Sequence, residues 1–155
     1  MIKSILFVCL GNICRSPVVE AIARLEFSRA RIDVYVDSAG TADYHTGEQA
    51  DSRSLASAQR AGYDGSPHRA RQISAEDFEQ FDAVLAMDNR NLATILSRCP
   101  ERFRGKIDLF LRHAGIASPL EVPDPYYGDD GDFRRVIELG RIGVEKLIER
   151  HRITA

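Results

Sequence analysis

Apolar residues fall into two periods along this chain. Residues 2–9 form a short apolar run rich in strand formers and stopped by Gly11, which predicts a buried strand. Val18, Ala21, Ile22 and Leu25 then recur every three or four positions and predict a helix to about residue 30. Ser16 as its N-cap and Pro17 at its first helical position suit that start. Val34 and Val36 alternate with polar neighbours in a second strand closed by Ser38, Ala39 and Gly40. Beyond the loop GTADYHTGEQ, residues 51–61 read as a helix with Gly62 suited to its C-terminal cap. Residues 74–77 open a short helical turn. FDAVLAMD is a third buried strand, and Asp88 caps a helix to about Arg98 that Pro100 stops. KIDLFL is a fourth strand. Residues 112–131 are a long loop rich in Pro, Gly and Asp. Residues 132–150 form a last amphipathic helix, with Val136, Leu139, Ile142, Gly143 and Leu147 inward.

Strands alternating with helices predict an α/β fold with a parallel sheet covered on both faces. Ligands of such sheets bind at the carboxyl ends of the strands, near a switch in strand order. Cys9, Ser38, Asp88 and the 112–131 loop all follow predicted strands, so they are expected to converge on one edge.

Composition narrows this picture. The chain has 155 residues, a single-domain length, and residues 1–155 are read as one domain. At 44% hydrophobic and 28% charged it is ordinary for a globular protein. A formal charge of −2 gives no global pull toward nucleic acid or an anionic membrane. Apolar runs such as residues 5–10 are too short to span a bilayer. Only Lys3 precedes a short apolar run, and no small-residue cleavage pattern follows, so a cytoplasmic protein is expected. The three cysteines make no disulfide framework, no CxxC and no zinc-ligand spacing.

The chemistry concentrates in residues 9–16, Cys9-Leu10-Gly11-Asn12-Ile13-Cys14-Arg15-Ser16, between the first strand and the first helix. Backbone N–H groups of a tight loop can form an anion nest, and the next helix adds unpaired donors and its positive dipole end. Gly11 permits a conformation or close approach that a side chain would block. Arg15 can grip two oxygens of a tetrahedral anion with its planar fork. The same positive potential favours a thiolate at Cys9, and Ser16 could donate a hydrogen bond to that sulfur. The glycine pattern fits neither GxxxxGK[ST] nor GxGxxG. A cysteine ending a buried strand also serves as plain apolar filler, so the loop by itself leaves both readings open.

VPDPYYGDDGDF supplies a candidate acid. Prolines on both sides of Asp124 restrict its backbone, which can fix the carboxyl's direction. Tyr126 and Tyr127 could wall a pocket for a flat aromatic substrate. Taken in isolation, the segment reads first as an acidic turn with Asp124 as turn former and the tyrosines packed down.

VCLGNICRSP near one end and DPYYG near the other resemble the low-molecular-weight protein tyrosine phosphatases. DSAGT at 37–41, ARQI at 70–73, EDFEQFD at 76–82 and AMDNRNL at 86–92 fit that family in order, so the likeness covers nearly the whole chain. The resemblance implies a flavodoxin-like three-layer fold around four parallel strands, with no metal and no organic cofactor. It implies Cys9 as nucleophile, Arg15 as phosphate clamp and Asp124 as general acid and then base. Ser16 would assist the thiolate. Asn12 would hold the loop's shape with Ser38 and His68 around it, and Asp88 would have a structural role nearby or simply cap its helix. Leu10, Ile13, Tyr44, Tyr126 and Tyr127 would receive the ring. The implied partner is a phosphotyrosine-containing protein or peptide and the product inorganic phosphate, with no nucleic acid and no membrane insertion.

Cys14 is either a redox partner that forms a reversible disulfide with Cys9 or a space-filler beneath the loop. An arsenate reductase also begins with a Cys-x5-Arg cradle, but its relay needs a further cysteine pair and only Cys99 lies outside the loop. A protein-arginine phosphatase resembles a threonine at the position of Ile13; Ile13 and the tyrosines favour phosphotyrosine. A non-catalytic anion module does not explain Cys9, Arg15 and Asp124 together. The four histidines form no ligand set. His45, beside Tyr44, either tunes the pocket rim or is simply exposed. The GDDGD run at 128–132 is a solvated turn, or with nearby acids it biases the choice of peptide.

Overall fold

The first apolar run forms β1 (Ser4–Cys9), the strand around which the rest is arranged in a computed structural model that describes residues 2–154. It pairs in parallel with β2 (Tyr35–Gly40) on one side and β3 (Ala83–Ala86) on the other. A short β4 (Ile107–Leu109) pairs in parallel beyond β3, giving the order β2-β1-β3-β4. That is the flavodoxin-like order, whose switch point lies between β1 and β3.

Successive side chains on a strand point to opposite faces, and β1 uses both. Ile5, Phe7 and Cys9 enter one apolar cluster with α1 (Ser16–Arg29) and α6 (Asp130–Thr154). Leu6 and Val8 enter the other, with Phe78 of α3 (Ala75–Gln80) and Ile95 of α4 (Asn89–Arg98). Each fully buried large side chain contributes roughly 1.5–3 kcal/mol. In the first cluster Phe7 packs edge-on against Phe110, ring centroids 5.5 Å apart. Gly143 lies on Phe110 so closely that a Cβ there would stand 2.3 Å from its Cζ.

Several boundaries differ from the sequence expectation. The N-cap of α1 is Arg15, not Ser16; the Arg15 carbonyl accepts from Val18 and Val19, which frees the Ser16 hydroxyl to face Cys9. The fourth strand ends at Leu109, and Phe110 and Leu111 begin α5 (Phe110–His113), which carries both side chains into the first core cluster. Strand periodicity cannot separate such an apolar turn from a strand end. The loop after it closes earlier than expected, because α6 begins at Asp130. Ile142 is not inward but 39% exposed, beyond the arc of α6 that faces α1. Asp88 caps α4 by accepting from Asn91, as expected, whereas Asp51, read as the first helical residue, instead caps α2 (Ser52–Arg60) by accepting from the Arg53 amide.

Candidate active site

The loop between β1 and α1 has its carbonyls turned outward. The Cys9 and Leu10 carbonyls accept from the Thr41 and Ala42 amides, and that of Ile13 from the Asp51 amide. The Asn12 carbonyl accepts from His68 Nε2 at 2.7 Å and the Cys14 carbonyl from the Ser54 hydroxyl at 3.2 Å. A trans peptide points its N–H opposite its C=O. The amides of Leu10, Gly11, Ile13, Cys14 and Arg15 are therefore turned inward, and among the described residues none donates to a protein acceptor. This is an anion nest at a helix N-terminus. Gly40 permits the loop's close approach to β2, since a Cβ there would lie 2.7 Å from the Leu10 carbonyl oxygen.

Asn12 holds the loop's shape from inside. Its backbone is left-handed, φ 59°, a conformation asparagine tolerates better than most residues. Its buried amide donates to Ser16 Oγ at 2.9 Å and Ser38 Oγ at 3.0 Å, and its Oδ1 accepts from the Arg71 amide at 2.9 Å. Ser38 in turn donates to Glu20 Oε1 at 2.6 Å, and His68 Nδ1 lies 3.8 Å from the same oxygen. The Arg71 guanidinium clasps Asp37 and Asp77. Glu20 and Arg71 had no assigned part in the sequence reading. Glu20 lies one turn after Ser16 on α1, so helical spacing alone could have placed it beside the loop. Arg71 falls within ARQI, but nothing local signals that its amide meets Asn12.

Cys9 Sγ lies 2.9 Å from Ser16 Oγ. Arg15 is buried, its Nη1 bonded to Asp88 Oδ2 at 2.6 Å and to the Val122 carbonyl at 3.1 Å. Burial works against its charge, but Cys9, Asp88 and Asp124 outweigh it and raise the guanidinium's already high pKa. Arg15 Nη2 is 3.8 Å from Asp124 Oδ2, which brings the two distant motifs into one site. Asp124 Oδ1 accepts from the Tyr126 amide at 3.1 Å, which orients the carboxyl within its own turn. Its loop is tied down where Val122 donates to the Met87 carbonyl and Asn89 donates to Glu121. Burial, followed by the charges of Asp51, Cys9 and Asp124, pushes the Cys14 thiol up to about 12.

A cavity of about 240 Å³ opens over the loop. Cys9, Arg15 and Asp124 lie at its polar end, and Leu10, Ile13, Tyr44, Tyr126 and Tyr127 line it. His45 also lines it, with its Nδ1 2.5 Å from Glu48 Oε2. Tyr126 and Tyr127 pack edge-on, centroids 5.0 Å apart, and the Arg53 guanidinium lies over Tyr126 and Phe133. Among the described residues no three His, Cys, Asp or Glu side chains gather as metal ligands would.

On this flavodoxin-like sheet the loop amides, a thiol, a buried guanidinium and a carboxyl gather at one end of an aromatic slot, the groups that cysteine-dependent hydrolysis of a phosphomonoester requires. Residues 4–153 match the sequence profile of the "Low molecular weight phosphotyrosine protein phosphatase" family. The human protein of that name is 43% identical over 140 residues, covering 88% of this chain and 87% of its own. The Schizosaccharomyces pombe one is 41% identical over 132 residues, covering 83% and 84%. A crystal structure of protein tyrosine phosphatase from Entamoeba histolytica, with Hepes in its active site, superposes with a TM-score of 0.93 at 40% identity, covering 98% of each chain. Wzb of Vibrio vulnificus in complex with benzylphosphonate gives 0.86 at 27% identity, covering 97% of this chain and 99% of its own. The chain belongs to the low molecular weight phosphotyrosine protein phosphatases, which are cysteine-dependent hydrolases.

Proposed function

We propose that the chain dephosphorylates phosphotyrosine in proteins or peptides through Cys9, Arg15 and Asp124, the whole chain serving as one catalytic domain. The observation that carries these roles is the ring of unpaired loop amides facing the cavity beside Cys9 Sγ. Cys9 attacks phosphorus as the thiolate, forming the S–P bond as the P–O bond to the aryl oxygen breaks. Asp124 gives its proton to the departing phenol. The Asp124 carboxylate then takes a proton from water, the water oxygen attacks phosphorus, and the S–P bond breaks to release inorganic phosphate. Ser16 donates to the sulfur when it carries charge. The loop amides and Arg15 hold the equatorial oxygens through both steps.

Asp88 fixes one edge of the Arg15 fork and leaves the other for phosphate. Asn12, Ser38 and His68 keep the loop carbonyls turned outward. Leu10, Ile13, Tyr44, Tyr126 and Tyr127 wall the aryl ring, a reading supported by benzylphosphonate in the V. vulnificus relative. Cys14 gives Cys9 a reversible escape from oxidation: peroxide converts the thiolate to a sulfenic acid, and Cys14 displaces water to form a disulfide that an external thiol reduces. The setting is the cytoplasm, and nucleic acid has no part in the reaction. Among the described residues no helix is long and apolar enough to cross a membrane.

The test is hydrolysis of p-nitrophenyl phosphate and a phosphotyrosine peptide. Cys9→Ser is expected to abolish both. Asp124→Asn is expected to lower kcat by about 10²–10⁴ with the inhibition constant for inorganic phosphate little changed. An Asp124→Asn variant that keeps near wild-type turnover refutes the acid role.

A further inference from the structure

A second groove, of about 790 Å³, lies between α2 and α6. Ile137 and half-exposed Ile142 lie along it, and Arg60, Arg134 and Arg141 flank it. Among the described residues no carboxylate comes within ion-pair distance of these three arginines. Ser57, only 3% exposed, also lines the groove, and its buried hydroxyl has no hydrogen-bond partner. Two glutamates line it as well, Glu145 and Glu138, the latter paired with Arg135 at 3.0 Å, so the three arginines outnumber the carboxylates.

Both helices start beside the catalytic cavity: the Asp51 amide that opens α2 donates to the Ile13 carbonyl, and Arg53 lies over Tyr126 and over Phe133 of α6. Arg53, which covers Tyr126, is on the same helix as Ser57 and Arg60. At 1.5 Å per residue, Arg60 lies about 10 Å farther along α2, and Arg141 lies about 12 Å along α6 from Phe133. An extended peptide advances about 3.3 Å per residue. About three to four extended residues span that distance from Arg53, so a side chain three to five residues from a phosphotyrosine whose ring lies against Tyr126 comes level with the arginines.

We infer that this groove binds the acidic flank of the substrate: a carboxylate three to five residues from the phosphotyrosine, with an apolar neighbour against Ile142. The inference rests on the phosphotyrosine reading of the main site. It also accounts for Ile142, an apolar residue of α6 that the core does not cover. The acids at 128–132 lie at the start of α6, where Asp129 and Asp132 cap one another's amides and would repel a carboxylate crossing them.

The experiment compares kcat/KM for phosphotyrosine peptides identical but for Glu, Ala or Lys at three to five residues on the N-terminal or the C-terminal side. One exposed ion pair changes binding by about two- to three-fold, so two predict about a five-fold preference for Glu over Ala on one side. Arg60→Gln/Arg141→Gln is expected to erase that preference while leaving p-nitrophenyl phosphate turnover unchanged, since neither residue touches the catalytic cavity. For the wild type, about 0.5 M salt is expected to erase it too, because these charges are exposed. Equal rates for Glu, Ala and Lys on both sides, or a preference for Lys, overturn the inference. So does a Glu preference that survives both salt and the double substitution. Failure to hydrolyse p-nitrophenyl phosphate would instead overturn the reading of the main site.

Discussion

Asn12 offers a way to separate the two things that shape the phosphate loop, backbone conformation and buried hydrogen bonds. Asn12→Ala removes two amide donations, to Ser16 and Ser38, and strands the Arg71 amide. Ordinary buried hydrogen bonds contribute about 1 kcal/mol net each, and a stranded buried donor costs about 1–3 kcal/mol. Alanine also loses asparagine's tolerance for φ 59°, at about 1–2 kcal/mol. Asn12→Gly makes the same hydrogen-bond losses without the backbone penalty. If the loss falls mainly on the loop's shape, kcat/KM for p-nitrophenyl phosphate falls by about 10²–10³ in the alanine variant. The glycine variant retains about five- to thirty-fold more activity than that, the equivalent of the backbone term. Phosphate inhibition measured alongside should weaken in the same order, because the ground state uses the same amides. Equal activity of the two variants would refute the strain argument, and wild-type activity in both would refute the network's role.

Gly143→Ala raises intrinsic helix propensity by about 1 kcal/mol, yet its Cβ would overlap fully buried Phe110. Overpacking of about 1–3 kcal/mol is expected to win and lower Tm by several degrees; a rise in Tm contradicts that packing. His113 is held below its usual 6.5 by burial and by Arg150, with Asp108 opposing. The unfolded chain takes up this proton first, so stability is level above about pH 6.5 and falls as pH drops from there through the folded value. Denaturant titrations should show a shallower fall in His113→Gln; an unchanged slope excludes His113 as the source. With its pKa near 12, Cys14 carries about one part in 10⁵ thiolate at pH 7, so iodoacetamide should label Cys9 well before it. In peroxide inactivation, Cys14→Ser should recover less activity on thiol addition than the wild type, and equal recovery removes the proposed disulfide.

The sequence was most informative where function depends on local order. Residues 9–16 combine strand end, nest and helix start within one turn of chain, so their spacing alone described a cradle. Tyr126 and Asp124 are two residues apart, and the hydrogen bond that orients the carboxyl is equally local. What escaped are contacts made across the fold. The Arg71 amide is 59 residues from Asn12, and the Val122 carbonyl that holds Arg15 is 107 residues away. A backbone donor or acceptor carries no residue-type signal, so such contacts are silent in sequence. The Ser16 cap failed because the same hydroxyl had a competing partner, Cys9, that only the loop's curvature reveals. Ile142 failed because helical periodicity counts an apolar stripe without knowing where the neighbouring helix stops covering it.

The central claim is that phosphate passes through Cys9. Rapid acid quench of the enzyme turning over a ³²P-labelled phosphotyrosine peptide, followed by proteolysis, tests it directly. Label is expected on the peptide containing Cys9, held through an S–P bond, and none is expected in Cys9→Ser. Label on another residue, or full turnover with no labelled enzyme at any quench time, would contradict it.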